Sequence, residues 1–141
     1  MASNECIPFY DDGDNITGFC EAAVTGKTFV ALGTSRTDPA FDPTQTALDT
    51  DRGCVHIKPP TAAQTAPIFG VAAYDGPANG FVDVIRGTKM VVPVTAALAF
   101  TTGEEVGVGP NGQATPWTAG VKCGYVVGDC AGGEDAQVSL Y

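Results

Sequence analysis

The chain has 141 residues, a formal charge of −9 and a sequence pI near 4.2, a length that fits one domain with a core of its own. Seven bases against 16 acids is the wrong balance for contacts that release counterions from a phosphate backbone, which excludes nucleic acid as an expected partner. Fifteen Val and five Ile stand against four Leu, with 18 Gly and ten Pro; β-branched side chains favour pleated surfaces, and Gly and Pro break helices and populate turns.

The leading residues, MASNECIPFYDDGD, have no basic stretch followed by an apolar run, so no secretory signal is expected. Glu5, Asp11, Asp12, Asp14 and Glu21 all precede the first base, Lys27. Residues 1–26, acidic and without strand alternation, read as an extended N-terminal arm. Asp11, Asp12 and Asp14 do not form a calcium loop, because a loop begun at Asp12 places Ile16 and Ala23 where oxygen ligands belong. TFVAL (28–32) is a strand candidate. In the following TSRTDPAFDPTQTALDTDRG, Asp42 can cap a helix of about two turns with Pro43 at its first position and Gln45 at the capping-box position.

CVHIK (54–58) is a second strand candidate, with Val55 and Ile57 inward and His56 outward. KPPTAAQTAP reads as an extended connector within a Pro/Thr-rich loop region, 33–67. IFGVAAY (68–74), FVDVIRG (81–87) and KMVVPV (89–94) are short β-type runs. The longest apolar stretch, MVVPVTAALAF (90–100), is broken by Pro93 and Thr95 and falls short of the ~20 residues that span a bilayer, so no membrane partner is expected.

GVGPNG (107–112) spells the dinucleotide fingerprint, which requires a strand before it and a helix opening at its last glycine. Pro110 removes an amide from the supposed cradle, and Pro116 and Gly120 break the stretch where the helix belongs. Val106 and Val108 alternate as a strand, and Pro110-Asn111-Gly112 is turn chemistry, so the stretch reads as a hairpin turn.

In VKCGYVV (121–127), Val121, Cys123, Tyr125 and Val127 share one face. In AQVSLY (136–141), Ala136, Val138 and Leu140 oppose Gln137, Ser139 and Tyr141. The two read as half-buried strands paired in a hairpin. The fold expected is all-β: a small antiparallel barrel or sandwich of about seven or eight short strands over 27–141, with the arm at 1–26 and at most one short helix.

Chemistry-bearing residues are sparse. His56 is the single histidine, and Ser3, Ser35 and Ser139 lie in no nucleophile-elbow pattern. Cys123 and Cys130 are too far apart for a zinc knuckle. The five cysteines, Cys6, Cys20, Cys54, Cys123 and Cys130, are odd in number and widely spaced, which reads as reduced and mostly buried thiols. No catalytic residue, cofactor or metal is expected. Trp117 stands alone in a loop, as a core anchor or an intersubunit contact.

The order FGVAAY, GFVDVIRG, VPVTAALAFTTGEEVGVGPNGQATP, KCGYVVGD and GEDAQVSLY resembles the small β-barrel capsid decoration, or cement, proteins of tailed bacteriophages. The resemblance runs from about residue 68 to 141 and rests on glycine and valine placement. It implies a non-enzymatic virion protein, made in the host cytoplasm, that binds the outer capsid surface and stabilises the expanded head. Its implied partners are the major capsid protein and itself, as a homotrimer. On that reading Glu5, Ile7, Phe9, Tyr10, Asp11 and Asp12 form a capsid-contact arm, and Trp117 and Tyr141 are subunit-interface residues. The alternative is a head-fibre or tail attachment module that binds a host cell-surface ligand. A small hydrolase built around His56 is a third reading, of another class.

Overall fold

The structure is a computed structural model that describes Cys6, residues 15–33 and residues 54–141. Among the described residues ten strands form two sheets. The first is a closed barrel of β1 (Asn15–Cys20), β2 (Phe29–Leu32), β3 (Val55–Lys58), β4 (Ile68–Ala72) and β5 (Phe81–Ile85), in the order β1-β3-β2-β4-β5 with β5 returning to β1. The second holds β6 (Val91–Thr95), β7 (Glu105–Val108), β8 (Ala114–Pro116), β9 (Gly124–Val126) and β10 (Asp135–Leu140), in the order β6-β10-β9-β7-β8.

The all-β expectation holds, and each of the eight strands read from the sequence is present. Two were missed. β8 is three residues long and ends in proline, too short to show a period. β1 lies inside the stretch read as an arm, and there the arm reading is corrected for residues 15–26. NITGFC does not alternate because Gly18 takes an inward position, where an added Cβ would stand 3.0–3.2 Å from the Ile57 side chain. β1 runs antiparallel to β5 over Asn15–Phe19 and parallel to β3 at Gly18↔Val55 and Phe19↔His56. The parallel pair departs from the antiparallel expectation. It is possible because a long connection separates β1 from β3, and parallel neighbours cannot be joined by a tight turn. The helix expected at Asp42 and Pro43 lies outside the described residues, as do Asp11, Asp12 and Asp14.

One strand set serves two cores. Val30, Ala72, Val82 and Val84 point into the barrel with Cys20, Val24 and Ile57. Their chain neighbours Phe29, Val71 and Ile85 point outward, into a second core with Met90, Val92, Val94, Val106, Val126 and Val138. A strand covered on both faces reads as a continuous apolar run, as FVAL and GVAA do, while β5 is interrupted only by Asp83. Burial of one valine or larger side chain contributes about 1.5–3 kcal/mol, so the shared wall supplies much of the cohesion between the sheets.

The sheets are also tied by polar contacts. Thr95 N–H donates to the Lys27 carbonyl at 2.8 Å, and Lys27 Nζ lies 2.9 Å from Asp135 Oδ2. The outer edge of β6 is blunted at Pro93, which has no N–H to offer. Cys6 lies against it: its thiol donates to the Pro93 carbonyl at 3.2 Å, and its amide donates to the Ala73 carbonyl.

The GVGPNG stretch is the β7–β8 turn. Val106↔Pro116 and Val108↔Ala114 are paired, with a single 3₁₀ turn at Pro110–Gly112 between them. Asn111 has φ 56° and Gly112 φ 77°, the left-handed region that Asn and Gly tolerate. A Cβ at Gly112 would also collide with the Phe29 carbonyl, so the turn is seated on β2. No helix follows it.

Because β1 is one of the barrel's own strands, deleting residues 1–26 exposes the edges of β3 and β5. The expected outcome is loss of the cooperative thermal transition seen by circular dichroism in the full chain. Retention of a cooperative transition near the parental temperature would contradict the closed barrel.

Candidate functional site

The outer face of the second sheet collects the exposed aromatic residues. Along β10, Ala136, Val138 and Leu140 enter the core, as the alternation predicts. Along β9 the inward residues are Gly124 and Val126, and Tyr125 and Val127 face out at 42% and 39% exposure. This corrects the reading that Val121, Cys123, Tyr125 and Val127 share one face, since Cys123 is buried while Tyr125 and Val127 are exposed. The alternate set is Lys122, Gly124 and Val126, so the lysine and the glycine hide the inward phase of Gly124 and Val126. A Cβ at Gly124 would collide with the Ser139 carbonyl, which is why the inward position there is a glycine.

The register then assembles the face. Glu105 and Ser139 flank Tyr125 on neighbouring strands. Trp117 N–H donates to the Glu105 carbonyl at 2.9 Å, and Tyr141 N–H donates to the Cys123 carbonyl at 3.1 Å. The Tyr125 and Tyr141 rings lie 6.2 Å apart at 49°. The two residues expected at a subunit interface, Trp117 and Tyr141, therefore share this face, and Tyr125 joins them.

Trp117 is held on every side but its outer edge. Its indole Nε1–H donates to the Gly120 carbonyl at 3.0 Å. The Lys122 ammonium stands 4.4 Å over the ring centroid, and Gly107 lies beneath, where a Cβ would be 3.2 Å from Trp117 Cα. Lys122 also pairs with Glu105 at 2.7 Å, and that carboxylate holds the ammonium above its usual range. The face thus presents rigid rings, which lose little side-chain freedom on contact, around an ion pair that neutralises itself.

Beside Tyr141 a groove of about 460 Å³ runs between the barrel and the second sheet. Ile16, Phe29, Ile68 and Leu140 are among its apolar lining, with Arg86 and Lys122 as its charged residues. The Arg86 guanidinium lies 4.2 Å over the Phe69 ring, and its Nε donates to the Phe69 carbonyl at 2.7 Å. A second cleft of about 500 Å³ is lined by small polar groups, Thr28, Thr95, Gln113 and Asp135 among them.

The titratable groups are engaged elsewhere. His56 faces outward, as expected, but is not a free surface histidine: its Nδ1 lies 3.1 Å from Glu21 Oε1, and its ring packs 5.0 Å from that of Phe19. Burial pushes the Cys6 and Cys123 thiols up to about 12 and raises those of Cys20 and Cys130, so these sulfurs are poor nucleophiles at neutral pH. All five cysteines are free thiols. Among the described residues no three His, Cys, Asp or Glu side chains gather as metal ligands, and no helix is long and apolar enough to cross a membrane. The capsid-contact arm residues Glu5, Ile7, Phe9, Tyr10, Asp11 and Asp12 lie outside the described residues.

No family model matches this chain, and no curated protein does. Among solved structures it is similar to the N base of the head fibre protein gp8.5 of bacteriophage phi29, with a TM-score of 0.66 and 18% sequence identity. The likeness covers 91% of this chain and 93% of that one, and it is a likeness of fold.

The methyl added by Gly107→Ala would stand 3.2 Å from Trp117 Cα and 3.3 Å from its Cδ1, so Trp117 must shift by a few tenths of an ångström. The substitution is expected to destabilise the protein by about 1–3 kcal/mol and to shift the emission of the single tryptophan to longer wavelength. An unchanged spectrum and melting temperature would contradict the packing of Trp117 on Gly107.

For the thiols, the folded pKa of Cys6 and Cys123 is raised above the usual 9.0 to about 12. The unfolded chain therefore loses these protons first, and stability present below pH 9 declines as pH rises toward 12. The slope is about 1.4 kcal/mol per pH unit for each thiol. Denaturant melts between pH 8 and 10.5 are expected to show this decline, and a Cys6→Ala/Cys123→Ala double variant to lose that part of it.

Proposed function

We propose that this chain is a structural protein of a bacteriophage head, bound to the outside of the shell. The observation that carries the reading is the fold shared with a head-fibre base across nearly the whole of both chains. The glycine and valine order from residue 68 to 141, which resembles the capsid decoration proteins, supports it independently. Binding here needs surfaces rather than a catalytic pocket, and the outer face of the second sheet offers one.

In this reading copies meet through Trp117, Tyr125 and Tyr141 as a homotrimer. Large rigid rings surrounded by polar groups are the residue types that carry interface energy. The ion pair of Lys122 and Glu105 lies within the face, so bringing copies together there adds no net charge despite −9 on each. The acidic stretch ahead of β1, including Glu5, Ile7, Phe9, Tyr10, Asp11 and Asp12, supplies the contact with the major capsid protein. Many copies on one lattice turn modest single-site affinity into lasting attachment.

Two roles fit a head-bound protein: stiffening the expanded shell as a decoration protein, or seating a fibre. The likeness to a fibre base, which covers 93% of that chain, favours the second. Purified protein mixed with bare expanded heads is expected to appear by electron cryomicroscopy as regular density on the outer surface. Absence of binding at micromolar concentration would overturn the proposal. A raised temperature of genome release from decorated heads identifies stiffening, and an unchanged one identifies the fibre seat. In solution, a Tyr125→Glu/Tyr141→Glu variant is expected to lower the sedimenting mass from trimer to monomer while leaving the melting temperature within a few degrees.

A further inference from the structure

The groove beside Tyr141 differs in charge from the chain as a whole. The chain carries 16 acids and seven bases, yet among the described residues the groove is lined by two bases and no acid. Its floor is apolar, from Phe29, Ile68 and Leu140. At one wall Arg86 is fixed in place: Phe69 lies under its guanidinium and takes its Nε–H, while Gly70 makes room for its stem, since a Cβ there would come 3.0 Å from Arg86 Cγ. The contacts of Arg86 with the described residues use one face of the guanidinium and one of its five N–H groups. None of those contacts is with a carboxylate. The other base, Lys122, is already neutralised by Glu105.

From this we infer that the groove is a docking site for an extended acidic peptide segment of a partner protein, with an apolar side chain on the Phe29–Ile68–Leu140 floor and the neighbouring carboxylate on the Arg86 fork. Arg and carboxylate match in planar, bidentate geometry. Preorganisation by Phe69 reduces the ordering cost on the protein's side. The inference deepens the head-binding proposal by naming the chemistry of the segment such a partner would present. It is tested without heads, so the two stand or fall separately.

The probe is a capped peptide, acetyl-Ala-Leu-Asp-Phe-Asp-Ala-amide, titrated into the isotopically labelled full chain and followed by NMR. Saturable shifts are expected at the Arg86 side-chain Nε–H and at the Gly87 and Thr88 amides. Affinity is expected to fall at least fivefold for the peptide with both Asp replaced by Asn, for the Arg86→Gln variant, and in 0.5 M salt. Arg86→Lys, which keeps the charge but not the fork, falls between the parent and Arg86→Gln and covers the case in which Arg86→Gln does not fold. Equal binding of the Asp and Asn peptides overturns the inference, as does inorganic phosphate binding as tightly as the peptide. So does binding that appears only after Asp11, Asp12 and Asp14 are changed to Asn, since the chain's own acids would then be the occupant.

Discussion

The structure depends on a wall of strands that is apolar on both sides. β2, β4 and β5 each place one residue in the barrel and the next in the core shared with the second sheet, as Phe29 and Val30, Val71 and Ala72, and Val84 and Ile85 do. Removing either neighbour would leave one side of this wall in water, so barrel and second sheet are stable as a pair. That coupling fixes where the groove lies: it opens at the junction, with Phe29 from the shared wall in its floor and Leu140 from the second sheet opposite.

Among the described residues, the outer side of the second sheet and the junction groove carry the exposed aromatic residues and the two bases of the lining. The face owes its form to two glycines as much as to its aromatic residues. Gly107 lets Trp117 lie flat, and Gly124 lets β9 approach β10 closely enough to bring Tyr125 toward Tyr141. Rings held in this way are suited to contact with another protein. The Cys6 and Cys123 thiols are raised out of the thiolate range by burial, and His56 is paired with Glu21.

Much of the candidate site was hidden in the sequence for a definite reason. Alternation assigns faces only when one face is polar. AQVSLY satisfies this, and its inward set was legible as Ala136, Val138 and Leu140. VKCGYVV misleads, because Lys122 shares its alternate set with the inward Gly124 and Val126, and the phase of Tyr125 was settled by pairing with Ser139 and Glu105. The groove's charge was illegible for another reason: Arg86 and Lys122 are 36 residues apart and line one groove only because the two sheets pack together, with Leu140 and Tyr141 at the end of β10 beside them.

Composition and local order determined that this protein is all-β, that GVGPNG is a turn and not a phosphate cradle, and which eight segments are strands. These follow from short-range physics: β-branched propensity, proline's missing donor, and the positive φ tolerated by Asn and Gly. Only the tertiary structure decided that residues 15–20 close the barrel, that the two sheets share a wall, and that Trp117, Tyr125 and Tyr141 meet on one face. Each of those outcomes pairs strands distant in sequence, and the free energy that selects such pairs comes from apolar area buried between them, which no local window contains.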